Sequence, residues 1–372
     1  MASRKVVVVK LGTSVLTAGG TLLNKPRLVE LASQCVELRS AGWQVVLVSS
    51  GAVAAGRAAL NKEIGSSIAE KQMLAAIGQG QLIHLWQSLF SIYDISVAQL
   101  LLTRADVENR ARYLNARDTL NQLLSHDVVP IINENDAVAT SEIKVGDNDN
   151  LSAMVAILAN ADRLLLLTDQ AGLFTADPRQ NPDARLIETV DEIDEDIIAI
   201  AGGSGTTLGT GGMATKLQAA QIAQRAGIET VIAKGSESNV IVNIQSGQAK
   251  STKFIRFDAP LDGRKKWLLS GPRCSGALIC DDGAVDAVCT QGASLLAKGI
   301  TDVSGQFSRG DLIELKSLQG RVIAKGLVAF DHQELQQIKG LHSAQISKAL
   351  GYQTANVVIH RDDLVLLEHV AT

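Results

Sequence analysis

A glycine-dense stretch, GTTLGTGGMATK at residues 205–216, opens directly into the periodic run LQAAQIAQRAG. A loop of this kind feeding a helix aims several backbone N–H groups and the positive helix end at one point. That is an anion site built from backbone. Lys216 falls near the end of the first helical turn, where its ammonium can reach the same anion. The plainer alternative is a flexible surface loop capped by a helix.

Other polar groups stand at comparable places. Lys10 ends the valine run KVVVVKL and is followed by Gly12, Thr13 and Ser14. A lysine at the end of a buried strand must find a partner for its charge or snorkel to solvent. Ser50 and Gly51 follow the run QVVLVS, where Ser50 could equally be a helix N-cap. Asn133, Glu134, Asn135 and Asp136 follow VVPII directly. Asp147, Asn148, Asp149 and Asn150 precede the apolar run from Leu151. That acidic run lacks the remaining ligands and closing glutamate of a calcium loop, which leaves a ligand-binding role or a turn with an N-cap. Thr168 and Asp169 follow RLLLL.

Two lysines, a glycine loop and several acids, gathered at one place, suit a phosphorylated nucleotide beside a small polar substrate. Phosphoryl transfer needs positioning and neutralisation of spreading charge, and lysines with backbone N–H groups supply both. The chain has no GxxxxGK[ST] loop and no GxGxxG after its first strand, which sets aside P-loop and dinucleotide-binding folds.

The elements that must position these groups repeat one grammar: apolar strand, small-residue turn, helix. Strands are expected at 5–11, 44–49, within 92–102, and at 128–132, 163–167 and 229–233. Helices are expected at 26–41, 67–90, 114–124, from about 151, at 191–200, and after the glycine loop as far as Gly227. The expected fold class is α/β, a three-layer αβα sandwich around a mainly parallel sheet, with ligands beyond the carboxyl ends of the strands. The segment GRKKW reads as a linker. From residue 275 the pattern changes to short strands separated by DDG, QG, SG, RGD and QGR turns, a small β-rich domain.

The composition is that of a globular protein, 46% hydrophobic and 20% charged, with a core that must be aliphatic because aromatics are only 3%. A net charge of −4 argues against nucleic-acid binding by bulk charge. Cys35, Cys274, Cys280 and Cys289 lack zinc spacing and read as free thiols of a reducing compartment. No apolar run approaches the roughly 18 residues of a membrane span, and the N-terminal apolar run is too short for a signal peptide. A cytoplasmic protein is expected.

The blocks KLGTSVL, VSSGAVAAG, INENDAV, VGDNDNLSA, LLTDQAGLFTADPR and GTGGMATKLQAA stand in an order and spacing that resembles the amino-acid kinase family. Within it, NENDAV and VGDNDNLSA resemble most the branch that phosphorylates glutamate. The tail, DDGAVDAVCTQGASLLAKGITDVSGQFSRGD, resembles a PUA domain, with Ala297 where proline is usual. The resemblance implies that Lys10 and Lys216 neutralise the transferring phosphoryl group and that Asp149 holds them in place. Ser50, Asp136 and Asn148 would bind glutamate, with Gly51 and Asn133 nearby. Thr168 and Asp169, with Thr210, Gly211, Gly212, Met213, Ala214, Thr215 and Lys216, would hold ATP, Lys10 also touching it. Mg²⁺ would be carried by the phosphates, with no protein ligand named.

The implied reaction is ATP-dependent phosphorylation of the glutamate γ-carboxylate to L-glutamyl 5-phosphate, the first step of proline biosynthesis. The resemblance also implies feedback inhibition by proline, a homotetramer and a hand-off to glutamyl phosphate reductase. The implied domains are an amino-acid kinase catalytic domain at 1–258, a linker at 259–274, a PUA domain with a barrel-like sheet at 275–355 and a tail at 356–372. Residues 261–372 carry 12 Lys+Arg and 12 Asp+Glu, a balance that argues against tight RNA binding.

Overall fold

The structure, a computed structural model, describes residues 4–60, 64–139, 148–202, 212–257, 265, 268, 274–352 and 356–367. Apart from Lys265, the expected linker segment GRKKW lies outside the described residues, as do residues 203–211 of the glycine loop, which include Thr210 and Gly211, and Asp147. The chain divides into two compact units, Met1–Pro260 and Leu261–Thr372.

The first unit is built on an eight-stranded sheet. Its strands are β1 Val6–Leu11, β2 Gln44–Val48, β3 Val97–Leu102, β4 Val129–Glu134, β5 Arg163–Thr168, β6 Thr189–Val190, β7 Glu229–Lys234 and β8 Ser251–Phe254. They run in the order β3-β4-β2-β1-β5-β7-β8-β6. Among the described residues of this sheet, only the β7–β8 pairing is antiparallel. All six residues of β1 are buried, and it pairs on both sides, with β2 and β5. A continuous branched apolar run belongs there, because a central parallel strand is covered on both faces. Each fully buried valine contributes about 1.5–3 kcal/mol to that placement.

Alternation along β1 assigns the two faces. Val7, Val9 and Leu11 enter a core with Leu28 and Leu31 of the helix Lys25–Ser40, Trp86 of the helix Ile68–Ser91 and Ile241 of the helix Val240–Gln245. Val6, Val8 and Lys10 face the other way, towards the layer that holds the buried helix Asp149–Leu158 and, packed on it, the helix Met213–Arg225. The result is the expected three-layer arrangement.

Two glycines set the spacing within the first helical layer. A Cβ on Gly78 would lie 1.8 Å from the carbonyl oxygen of Ala52, and one on Gly56 would lie 2.0 Å from that of Leu74. The helices Ala52–Leu60 and Ile68–Ser91 therefore touch backbone to backbone.

The second unit carries a five-stranded sheet. Its strands are β9 Gly276–Cys280, β10 Ile300–Gly305, β11 Leu312–Lys316, β12 Val322–Leu327 and β13 Leu364–Leu366, in the order β10-β9-β11-β12-β13. Leu278, Ile313, Leu315, Phe330, Val358 and Ile359 are in its core. Two expectations change here. DDG is not a turn between strands: Asp281 accepts from the Ala284 N–H and caps a helix, Asp282–Cys289. The stretch from 356, expected as a tail, supplies two core side chains, Val358 and Ile359, and the strand β13, which pairs antiparallel with β12. Its apolar run at 364–367 is short and stands next to the charged RDD, and pairing with β12 makes it a strand. Ala297 is fully buried as the first residue of the 3-10 helix Ala297–Gly299.

Candidate active site

Lys10 is the fifth residue of β1, level with Val48 of β2 and Leu166 of β5. Its Nζ donates to Asp149 Oδ1 at 2.5 Å. Asp149 is the first residue of its helix, two positions earlier than the apolar pattern suggests. Its other oxygen, Oδ2, receives Lys216 Nζ at 3.0 Å and the Thr215 hydroxyl at 3.0 Å. The carboxylate is fully buried, and the two lysines are 5% and 6% exposed. A buried carboxylate is tolerable only when paired and hydrogen-bonded, and here both oxygens are.

Gly212 is the N-cap of the helix Met213–Arg225, so Met213, Ala214, Thr215 and Lys216 form its first turn. Thr215, read from the sequence as a nucleotide contact, is placed by its hydroxyl on Asp149 and on the Gly212 carbonyl at 2.8 Å. Gly12 stands on the same side: a Cβ there would lie 3.9 Å from Lys10 Nζ.

A second polar group lies at the ends of β2 and β4. Asn148 precedes the helix Asp149–Leu158 in the N-cap position, yet its side chain makes no cap hydrogen bond. Its Nδ2 donates instead to Asn133 Oδ1 at 2.8 Å, to the Ser49 carbonyl at 2.9 Å and to Ser50 Oγ at 3.2 Å. The plain N-cap alternative for Asn148 is thereby removed. Ser50, Asn133 and Asn148, distant in sequence, are brought together. Gly51 beside them has φ +96°, a conformation that favours glycine, and a Cβ there would press on Leu23 at 3.0 Å. Asp136 is half-buried in the turn that follows β4.

Thr168 ends β5, and its hydroxyl donates to Asp169 at 3.0 Å. A cavity of about 520 Å³ lies against this pair, lined also by Ser14, Asn24, Arg27 and Lys234. Among the described residues no three His, Cys, Asp or Glu side chains gather as a metal site. Nor is any described helix long and apolar enough to cross a membrane.

Two neighbours of the polar group escape sequence reading. Gln79 accepts from Asn133 Nδ2 at 2.8 Å, and Trp86 Nε1 donates to Ser49 Oγ at 3.1 Å. Gln79 and Trp86 sit in a long helix whose sequence shows only apolar periodicity. The one local signal for Gln79 is its place between Gly78 and Gly80.

Comparison with known proteins meets this geometry. Residues 276–350 match the PUA domain, and residues 5–234 match the Amino acid kinase family. The chain is 62% identical to Glutamate 5-kinase 2 of Pseudoalteromonas translucida, over 99% of this chain and 100% of that relative. It is 58% identical to Glutamate 5-kinase of Aliivibrio fischeri, over 97% of this chain and 98% of that one. Among solved structures, carbamate kinase from Giardia lamblia bound to AMP-PNP has the same fold. It aligns with a TM-score of 0.50 at 21% identity, over 69% of this chain and all of that one. The lysine-bridged carboxylate at the carboxyl edge of a mainly parallel sheet and the near full-length likeness agree, and the chain belongs to the amino-acid kinase family, among its glutamate 5-kinases.

Proposed function

We propose that this chain transfers the γ-phosphoryl group of ATP to the γ-carboxylate of L-glutamate. The product is L-glutamyl 5-phosphate, and the reaction opens proline biosynthesis. The observation that carries the reading is the bridge through Asp149, which holds Lys10 and Lys216 on one buried carboxylate. The likeness to glutamate 5-kinases over nearly the whole chain supports the acceptor.

The side chain of glutamate has an ordinary pKa of about 4.3, so near pH 7 the acceptor is already an anionic nucleophile. No general base is required. The obstacle is the approach of two anions. Lys10 and Lys216 offset that repulsion with ammonium groups fixed before the substrates arrive, which removes reorganisation from the reacting step. Gly12 leaves room beside Lys10 for a phosphate oxygen. Asp149 touches no reacting atom in this reading and keeps the lysines apart and oriented. Mg²⁺ enters as part of the nucleotide substrate, held by phosphate oxygens as its chemistry favours. Thr168, Asp169 and the glycine loop, Thr210 to Lys216, hold the nucleotide.

At the acceptor end, Ser50 Oγ accepts from Asn148, which leaves its own hydrogen for a substrate carboxylate. Asp136 is assigned to the substrate ammonium. Proline, with the same ammonium and α-carboxylate, competes for this place as a feedback inhibitor. The working form is a cytoplasmic homotetramer, and the labile acyl phosphate passes to glutamyl phosphate reductase. The kinase unit spans 1–258 and the PUA domain follows the linker.

The test is a hydroxamate assay dependent on ATP and Mg²⁺, run in parallel with glutamate, aspartate and N-acetylglutamate, with and without proline. Product from glutamate only, suppressed by proline, is the expected result. Product from another acid keeps the phosphoryl chemistry and overturns the acceptor. No product from any acid overturns the reading.

A further inference from the structure

We infer that Gln79 is a positioning residue that reinforces, through Asn133, the amide orientation in which Asn148 offers its Oδ1 to the acceptor amino acid, and so helps to select a substrate bearing an α-amino group. The inference rests on the proposed reaction, with glutamate as acceptor.

The argument runs through two amides whose orientations backbone groups dictate. The Asn148 atom 2.9 Å from the Ser49 carbonyl must be nitrogen, because a carbonyl only accepts. The Asn133 atom 2.9 Å from the Glu134 backbone nitrogen must be oxygen, because that N–H only donates. The two side chains then meet as donor and acceptor, Asn148 Nδ2 to Asn133 Oδ1 at 2.8 Å. Asn133 is left with its NH₂ on the opposite side. Gln79 Oε1 accepts from it at 2.8 Å, so Gln79 completes the chain and adds a side-chain hold to the orientation that the Glu134 N–H dictates.

The consequence falls on Asn148. Both hydrogens of its NH₂ are committed to Asn133, Ser49 and Ser50. Its Oδ1 accepts from no side chain among the described residues. Asn148 as a whole is 8% exposed, so little of its side chain faces bulk water. At neutral pH the two carboxylates of glutamate only accept, and its one donor is the α-ammonium. An acceptor oxygen can therefore reward only that group. A turned amide would present N–H to the ammonium instead, a contact between donors.

Gln79 is carried to this place by the helix contact described above. Gly78, the preceding residue, lies against the Ala52 carbonyl in the turn after Ser50 and Gly51. The close approach brings the helix Ile68–Ser91 within hydrogen-bond reach of Asn133.

The experiment compares the full-length wild type with Gln79→Leu, Gln79→Met and Gln79→Glu. Hydroxamate formation is measured on glutamate and on glutarate, which lacks the amino group, and KM is measured for both glutamate and ATP. Leu and Met cannot accept from Asn133, whereas Glu can. Loss of one such hydrogen bond is expected to raise the glutamate KM about five- to tenfold. The kcat and the KM for ATP should stay within about twofold of wild type, which a general loss of structure would not allow. The preference for glutamate over glutarate should narrow by about the same five- to tenfold, and Gln79→Glu should restore both values. Thermal melts accompany each variant, and Gln79→Met supplies the reading if Gln79→Leu does not fold.

An unchanged preference in Gln79→Met, or a Gln79→Glu variant as impaired as Gln79→Met, would overturn the positioning role while leaving glutamate as the acceptor. Failure of the wild type to form hydroxamate from glutamate would overturn the underlying reaction, and the inference with it.

Discussion

Lys10 and Lys216, one on a central strand and one on a helix that begins more than two hundred residues later, are bound to opposite oxygens of the same buried carboxylate. That carboxylate belongs to Asp149, and the residue before it, Asn148, holds the amide cluster together. One step along the chain at the start of a single helix thus joins the charge cluster to the amide cluster.

Lys10→Ala is expected to reduce kcat by at least about 100-fold with little change in the glutamate KM, since it removes a charge that acts on the transferring group. Asp149→Asn should lose as much rate and should also lower stability by about 3–5 kcal/mol, because two buried ammonium groups lose their ion pairs with this carboxylate. Steady-state kinetics and urea denaturation on the same preparations check both. Unchanged kcat in Lys10→Ala would remove the lysine from the mechanism.

Asp136→Ala should act on the acceptor side. The expected outcome is a glutamate KM raised about tenfold or more, with the KM for ATP held, as loss of a charged hydrogen-bond partner of the substrate implies. Equal changes in both constants would place Asp136 outside the acceptor pocket.

Gly78→Ala tests the helix contact. In an ordinary helix interior this change gains about 1 kcal/mol. Here the new methyl would lie 1.8 Å from the Ala52 carbonyl oxygen, so the helices must part. A net loss of about 1–3 kcal/mol is expected. The glutamate KM should rise with it, because Gln79 moves with the helix. A stabilised variant would show that the two helices have room to separate.

Burial pushes the Cys35 thiol up to about 12. In the unfolded chain a thiol ionises near about 8.5. The folded value is raised, so the stability linked to Cys35 is fully present below about pH 8.5 and is lost as pH climbs towards the folded value. The loss amounts to about 1.4 kcal/mol per pH unit. Urea midpoints at pH 8, 9 and 10 should therefore fall more steeply for the wild type than for Cys35→Ala. Parallel slopes would contradict a protonated, buried thiol. Cys280, pushed by burial up to about 12 as well, belongs to the other unit.

Ala297→Pro introduces the residue that the resemblance to PUA domains implies at this point. The position is first in a 3-10 helix, where the N–H is dispensable, and Leu296 before it is extended at φ −103° and ψ 151°, as a residue preceding proline prefers. A gain of about 0.4–1 kcal/mol is expected from the stiffer unfolded chain. A lower melting temperature would mean that the packed core around Ala297 has no room for the ring.

Most of the first sheet was legible because its signals are local. Four successive valines suit a strand covered on both faces, and a glycine-rich loop before an apolar periodic run suits a helix entry. Lys10 stood out because a lysine at the end of a buried strand needs a partner, and Lys216 because it falls in the first helical turn after a glycine-rich loop. The second unit was less legible: DDG serves a turn or an N-cap equally well, and β13 becomes a strand only against β12.

By itself the sequence determined most of the order of strands and helices in the first unit, though not β6, β8 or the helix Val240–Gln245, the strand-end placement of the polar clusters and the likeness that names their chemistry, because periodicity and turn residues act within a few positions. Only the tertiary structure decided that Asp149 takes both lysines, that Asn148 turns away from its own helix, and that Gln79 reaches Asn133. Those choices depend on parallel strand register and on a glycine contact between helices, which bring together residues that no local pattern connects.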